Sequence, residues 1–138
     1  MFANKIVVDP LQLSKVSKTV EHISTIDVLL MRMQMVIDIK GPLGLAANQI
    51  GELDRIIYIK DIGFVVNPVL EVLGKAQRTS REGCLSVPGK VVPMVRHYRV
   101  RLTGSDQWGK PFSRKLKGLL AFVAQHEVDH LDGITICK

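Results

Sequence analysis

Gln125-His126-Glu127-Val128-Asp129-His130-Leu131, near the end of a 138-residue chain, is the stretch that decides the fold. It sits in an apolar pattern of helical period from Lys115 to Leu131, with Gly133 placed to terminate the helix. On a helix, His126 and His130 are one turn apart, so both imidazoles leave the same face and can grip one metal ion. Glu127 stands beside them. A carboxylate next to a metal is what hydrolysis requires, because the ion lowers the pKa of water and the carboxylate takes the proton.

Two ligands do not complete such a site. In proteases that share the motif the third lies downstream, but the corresponding position here is Ile136, although Gly133 matches the glycine of one such group. The third ligand therefore comes from upstream, where His22, His97, Glu82 and Cys84 are the candidates. Cys84 lies between turn signals in Glu82-Gly83-Cys84-Leu85-Ser86, and its thiolate would complete a Cys-His-His set with one open position.

Working outward, Ser24 or Thr25 offers an N-cap ahead of Ile26, Leu29, Leu30, Met33 and Ile37, a helix that Lys40-Gly41-Pro42 ends. Met31, Met33 and Met35 read as core filler of that helix. The loop from Leu43 to Gly51 is rich in small residues, where backbone can approach a ligand closely. Strands are expected over 55–60, 64–66, 69–73, 91–95 and 98–103, with a turn-rich hairpin connection from Gly104 to Pro111 and a short closing strand over 134–137. No repeat or linker divides the chain. The expectation is one α+β domain over residues 1–138, mainly antiparallel strands around a central metal-binding helix.

Composition narrows the class further. Hydrophobic residues make up 46% but aromatics only 5%, so the core is aliphatic and disorder is excluded. Nineteen Lys and Arg against thirteen Asp and Glu give a net charge of +6, without a run of like charges, which reads as a basic soluble surface and not as specific nucleic-acid binding. Cys84 and Cys137 are too few to staple a domain of this size. The N-terminus has too short an apolar run for a secretory signal, and nothing is long enough for a membrane span. A cytoplasmic protein without membrane association is expected.

Together, Gly44-Leu45-Ala46-Ala47-Asn48-Gln49-Ile50-Gly51, Glu82-Gly83-Cys84-Leu85-Ser86 and Gln125-His126-Glu127-Val128-Asp129-His130-Leu131 resemble the three ordered motifs of the peptide deformylases, and the likeness runs from about Asp9 to the last residue. These enzymes remove the formyl group from the N-terminal formyl-methionine of new proteins. The resemblance implies Cys84, His126 and His130 as metal ligands and Glu127 as the general base that later protonates the leaving amine. It implies that the Gln49 amide and the Leu85 backbone N–H hold the oxyanion, an arrangement that stabilises a tetrahedral intermediate. Leu43, Gly44 and Gly83 are implied in pairing with the substrate backbone, and Phe122 and Val123 in lining the methionine pocket. Glu82 and Arg96 are implied as a buried ion pair behind the cysteine.

The resemblance implies one divalent ion, ferrous in the cell, with nickel or cobalt tolerated. A thiolate with two imidazoles also binds Zn(II) well, so a purified sample can hold zinc. N-formyl-methionyl nascent chains are the expected partners. Three departures stand out. Pro42 replaces the glycine that usually begins the first motif, removing a donor and fixing φ. The segment from Asp61 to Asn67 is short, and no long C-terminal helix follows, so ribosome association is not expected by that route. Three other readings are weighed: a peptide-cleaving zinc enzyme, which leaves Gln49 and the Cys84 motif unexplained; a closed structural site that adds Cys137, which leaves Glu127 idle; and an inactive deformylase-like binder.

Overall fold

The computed structural model describes residues 5–136, built on a five-stranded antiparallel sheet, a separate two-stranded hairpin and three α-helices. The helices are α1 (Pro10–Leu13), α2 (Asp27–Lys40) and α3 (Leu119–Leu131). The strands are β1 (Gly44–Ala46), β2 (Ile56–Ile59), β3 (Gly63–Val72), β4 (Gln77–Cys84), β5 (Val87–His97), β6 (Arg99–Ser105) and β7 (Pro111–Lys117). The sheet order is β1-β2-β3-β6-β7, and β4 pairs only with β5. None of the described helices is long and apolar enough to cross a membrane.

Side-chain alternation makes the sheet the middle layer of the molecule. Leu45, Ile56 and Val66 pack with Ile26 and with Leu30, Met33 and Ile37 of α2, while Ala46, Ile57, Ile59 and Val65 pack with Ala121, Ala124 and Leu131 of α3. Strands covered on both faces read as continuous apolar runs, and Ile56-Ile57-Tyr58-Ile59 is one. α2 covers only the β1–β3 half of its face, whereas Val100, Leu102 and Leu116 extend the α3 core under β6 and β7.

Several elements differ from the sequence reading. Ser24 and Thr25 belong to a 3-10 turn, and α2 starts after Ile26 without a side-chain cap. A missing cap costs about 1 kcal/mol. The five apolar side chains that α2 buries contribute about 1.5–3 kcal/mol each, so packing decides. Met33 is in the core as expected, but Met31 and Met35 are exposed. The two strands expected at 64–66 and 69–73 are one, β3, bent by a register shift between Val66 and Val69 where Asn67 takes a φ of 53°. Lys115 to Lys117 belong to β7 and not to the helix, because they pair with Arg99 to Arg101, and Gly118, at a φ of 64°, turns the chain into α3. Residues 43–51 are a short strand and a 3-10 turn instead of a plain loop, residues 134–136 form no strand, and Cys137 lies outside the described residues.

Candidate active site

α3 presents His126, Glu127 and His130 toward the turn between β4 and β5, and Cys84 enters from the end of β4. The Cys84 Sγ and one ring nitrogen from each histidine lie within 4.8 Å of one another. Cys84 Sγ is 3.2 Å from His130 Nε2. Among the described residues this is the group of three able to hold a metal ion, and His22 and His97 are not part of it. His97 instead brackets Gln125, its N–H donating to Oε1 at 2.9 Å and its carbonyl accepting from Nε2 at 2.8 Å.

The environment prepares each ligand. His126 Nδ1 sits 3.0 Å from Glu82 Oε1, which fixes the tautomer and leaves Nε2 for the cysteine side, the usual carboxylate support of a metal-binding imidazole. Burial disfavours charge on His126, but its hydrogen bonds to Cys84 and Glu82 push the pKa up to about 10, so an ion at that nitrogen competes with a proton. Burial, helped by the charges of His126 and Arg96, holds His130 down at about 3, which keeps it a neutral donor. Its carbonyl is gripped by Asn48 Nδ2 at 2.7 Å, tying the 3-10 turn 47–50 to α3.

Behind the ligands, Arg96 donates to both oxygens of Glu82, at 3.0 and 2.7 Å, and to Asp129 Oδ2 at 2.7 Å. Burial alone would raise the pKa of Glu82. The hydrogen bonds from His126 and Arg96 outweigh it and hold the carboxyl at about 2. The pair implied at sequence level is therefore present as a chain from Asp129 through Arg96 and Glu82 to His126. Removing one partner of a buried pair costs about 3 to 5 kcal/mol, so Arg96→Ala should lower the melting temperature by roughly 10 °C or more. An unchanged melting curve would contradict this.

Glu127 lies in the cleft floor with Oε1 buried and unpartnered. Burial raises its carboxyl to about 7. Gln49 is held with its amide oriented: Oε1 accepts from Ala46 N at 2.9 Å, so Nε2 faces Cys84 Sγ at 3.4 Å and Ser86 Oγ at 3.3 Å. The cleft has a volume of about 770 Å³ and is walled by Pro42, Leu43 and Gly44 on one side, Gly83, Cys84 and Leu85 on the other, and Phe122 and Val123 below. β1 is the edge strand there. The Leu43 carbonyl accepts from Lys60 N at 2.8 Å, so strand alternation turns the N–H and C=O of Gly44 to the free edge. Pro42 shares that parity, so the donor it lacks belongs to the free edge, where proline is tolerated. Sequence reasoning assigned no role to Asn48, Ser86 or Asp129. All three lie inside the motifs, but their partners are distant in the chain.

The donor set fits a metal ion. A thiolate and two imidazoles converge, one imidazole is braced by a carboxylate, and a buried carboxylate oxygen beside them lacks a partner. In a cleft this defines the class of a metal-dependent hydrolase site. The polypeptide deformylase family model matches residues 3–138, and the chain belongs to that family. Peptide deformylase 1 of Corynebacterium glutamicum is 38% identical over 138 residues, covering 94% of this chain and 81% of the relative. The peptide deformylase of the Vibrio parahaemolyticus bacteriophage VP16T, solved with actinonin, superimposes with a TM-score of 0.90 at 38% identity, over 96% of this chain and 99% of that one. The Thermotoga maritima enzyme gives 0.88 at 31% identity, over 96% and 94%. These enzymes are hydrolases that remove the N-formyl group from nascent polypeptides, and the family uses a single catalytic metal.

Proposed function

We propose that this chain deformylates N-formyl-methionyl peptides with Glu127 as the proton carrier, Gln49 and the Leu85 N–H as oxyanion donors, and Cys84, His126 and His130 as ligands of one ferrous ion. The observation that carries the reading is the placement of a buried Glu127 carboxylate, its Oε1 without a partner, beside the converging cysteine and histidines. When bound, the ion supplies Lewis-acid activation of water and of the formyl carbonyl. Glu127 takes the proton of the attacking water and passes it to the leaving amine, with the near-neutral pKa such a shuttle needs. The free edge of β1 and Gly83 accept the peptide as an added strand, and Phe122 and Val123 line the methionine pocket. Such substrates emerge in the cytoplasm at the ribosome, where we place the enzyme.

The Gln49 donors act on charge that develops during reaction more than on the ground-state carbonyl. Gln49→Leu is thus expected to lower kcat by about a hundredfold or more with little change in KM. An effect confined to KM would refute that role. For the metal, reconstitution of stripped protein with Fe(II), Ni(II), Co(II) or Zn(II) under exclusion of oxygen, followed by timed formate release from a formyl-Met peptide, tests the whole reading. The Fe(II) form should be fastest, should decay in air as iron and thiolate oxidise, and should be outlived by the Ni(II) form. An air-stable zinc form of equal rate would refute the iron assignment, and no formate release with any metal would refute the activity.

A further inference from the structure

The β6–β7 hairpin, residues 99–117, carries Arg99, Arg101, Lys110, Arg114, Lys115 and Lys117 against the single acid Asp106, a net of +5 in a chain whose total is +6. Asp106 is engaged in its own turn, with Oδ1 accepting from Trp108 N and Lys110 N at 2.9 Å each. The register sets Arg99 opposite Lys117 and Arg101 opposite Lys115. All four share the face turned away from α3, because Val100, Leu102 and Leu116 occupy the other. It is the face that α2 covers over β1–β3 but leaves open over β6 and β7, where Arg99, Lys115 and Lys117 are exposed.

Like charges directly opposite in a ladder are destabilising. Two adjacent rows of them are answered by one carboxylate, Glu71, whose Oε1 is 3.2 Å from Arg101 Nε and whose side chain is 65% exposed. Arg99, Lys115 and Lys117 form no ion pair among the described residues. The guanidinium of Arg99 lies over the Tyr98 ring at 5.0 Å, as does that of Arg78, which steadies both cations without neutralising them.

We infer that this face docks double-stranded RNA through its phosphates, independently of base sequence. Along a strand, alternate residues are about 6.7 Å apart, and across the ladder facing side chains are about 5 Å apart, so the four basic residues root in a compact grid from which their flexible side chains can reach. Thr103 and Ser113 continue the same face with hydroxyls. Such a surface suits phosphates and 2′-hydroxyls presented across an RNA groove. A membrane surface would require an apolar face to bury. The large exposed apolar side chain of this hairpin is Trp108, at its tip and outside the grid.

The test uses the metal-loaded protein, a labelled RNA duplex of about 16 base pairs, and anisotropy titrations over a series of salt concentrations. Four engaged phosphates give a slope of log K against log salt of about −3 to −4. The triple variant Arg101→Gln, Lys115→Gln, Lys117→Gln should bind at least tenfold more weakly at low salt, with a slope near −1. Glu71→Gln, which removes the one carboxylate on the grid, should instead tighten binding about twofold, an effect of opposite sign that a merely structural role would not give. Deformylation of a formyl-Met peptide should be retained in both variants, since the face lies across the sheet from the cleft, and the melting temperature should hold or rise in the triple variant, where facing like charges are removed. Equal affinity and slope for parent and triple variant, or binding to phosphatidylserine vesicles without binding to the duplex, would overturn the inference.

Discussion

Glu127→Gln is expected to lower kcat/KM by about a thousandfold or more while leaving the metal bound and the fold intact. Glutamine has the same shape, and Cys84, His126 and His130 do not depend on Glu127 for their positions. What disappears is a group able to take a proton and return it, which contributes about a hundred- to ten-thousandfold in enzymes of this kind. Stability should move the other way. The carboxyl is raised by burial from its ordinary value of 4.5 to about 7, so the folded metal-free protein binds this proton more tightly than the unfolded chain does. Below about pH 4.5 the carboxyl is neutral in both states and equivalent to an amide; as pH rises through 4.5 to 7 the folded state is progressively disfavoured, leaving above pH 7 a burden of about 3 kcal/mol that a neutral amide does not carry. The metal-free variant should thus melt higher than the parent at pH 8 and equally at pH 4. Turnover within tenfold of the parent would remove Glu127 from the mechanism, and identical melting at both pH values would contradict its raised pKa.

How much of this was legible in sequence depended on whether the signal was local. The convergence of His126 and His130 was, because they share a helix face, whereas Cys84 stood among four upstream candidates until the three motifs were taken together. Gln49 was readable as a residue type, but the reason its amide points inward, acceptance from Ala46 N, needs the 3-10 turn in three dimensions. β4 was missed because Gln77-Arg78-Thr79-Ser80-Arg81 has no apolar alternation: the β4–β5 hairpin stands apart from the main sheet, and only Ser80 and Glu82 of its first strand are buried before Cys84. Their burial serves the Arg96 network, which hydrophobic patterning does not register. β7 was absorbed into the final helix for a similar reason. Leu116 is its one buried residue, and that spacing extends a helical period as easily as it marks a strand. The bulge at Asn67 divided one strand into two, since a residue at positive φ followed by Pro68 reads as a turn.

The small residues before Gln49 mark a place for close backbone approach, and Glu127 and Val123 are what approaches it. A Cβ added at Gly44 would lie 2.6 Å from Glu127 Oε2, 2.7 Å from Val123 Cγ1 and 2.8 Å from Glu127 Cγ. Gly44 is ordinary strand backbone, so an alanine there meets no conformational penalty and the whole effect is steric. β1 cannot retreat easily, because Leu43 is bonded to Lys60 and Ala46 to Gln49 on either side. The flexible partner is the Glu127 side chain. Gly44→Ala is therefore expected to push the carboxylate off its station, lowering kcat/KM by about a hundredfold or more, since displacement of a catalytic group by about an ångström has that effect. Overpacking should cost only about 1–3 kcal/mol, so the protein should fold and keep its metal. Adding Val123→Ala relieves one of the clashes but not those with Glu127, so the double variant should regain stability without regaining rate. Formate release, metal content and melting temperature measured together separate these effects. A folded, metal-loaded Gly44→Ala protein within tenfold of the parent would show that β1 does not position Glu127.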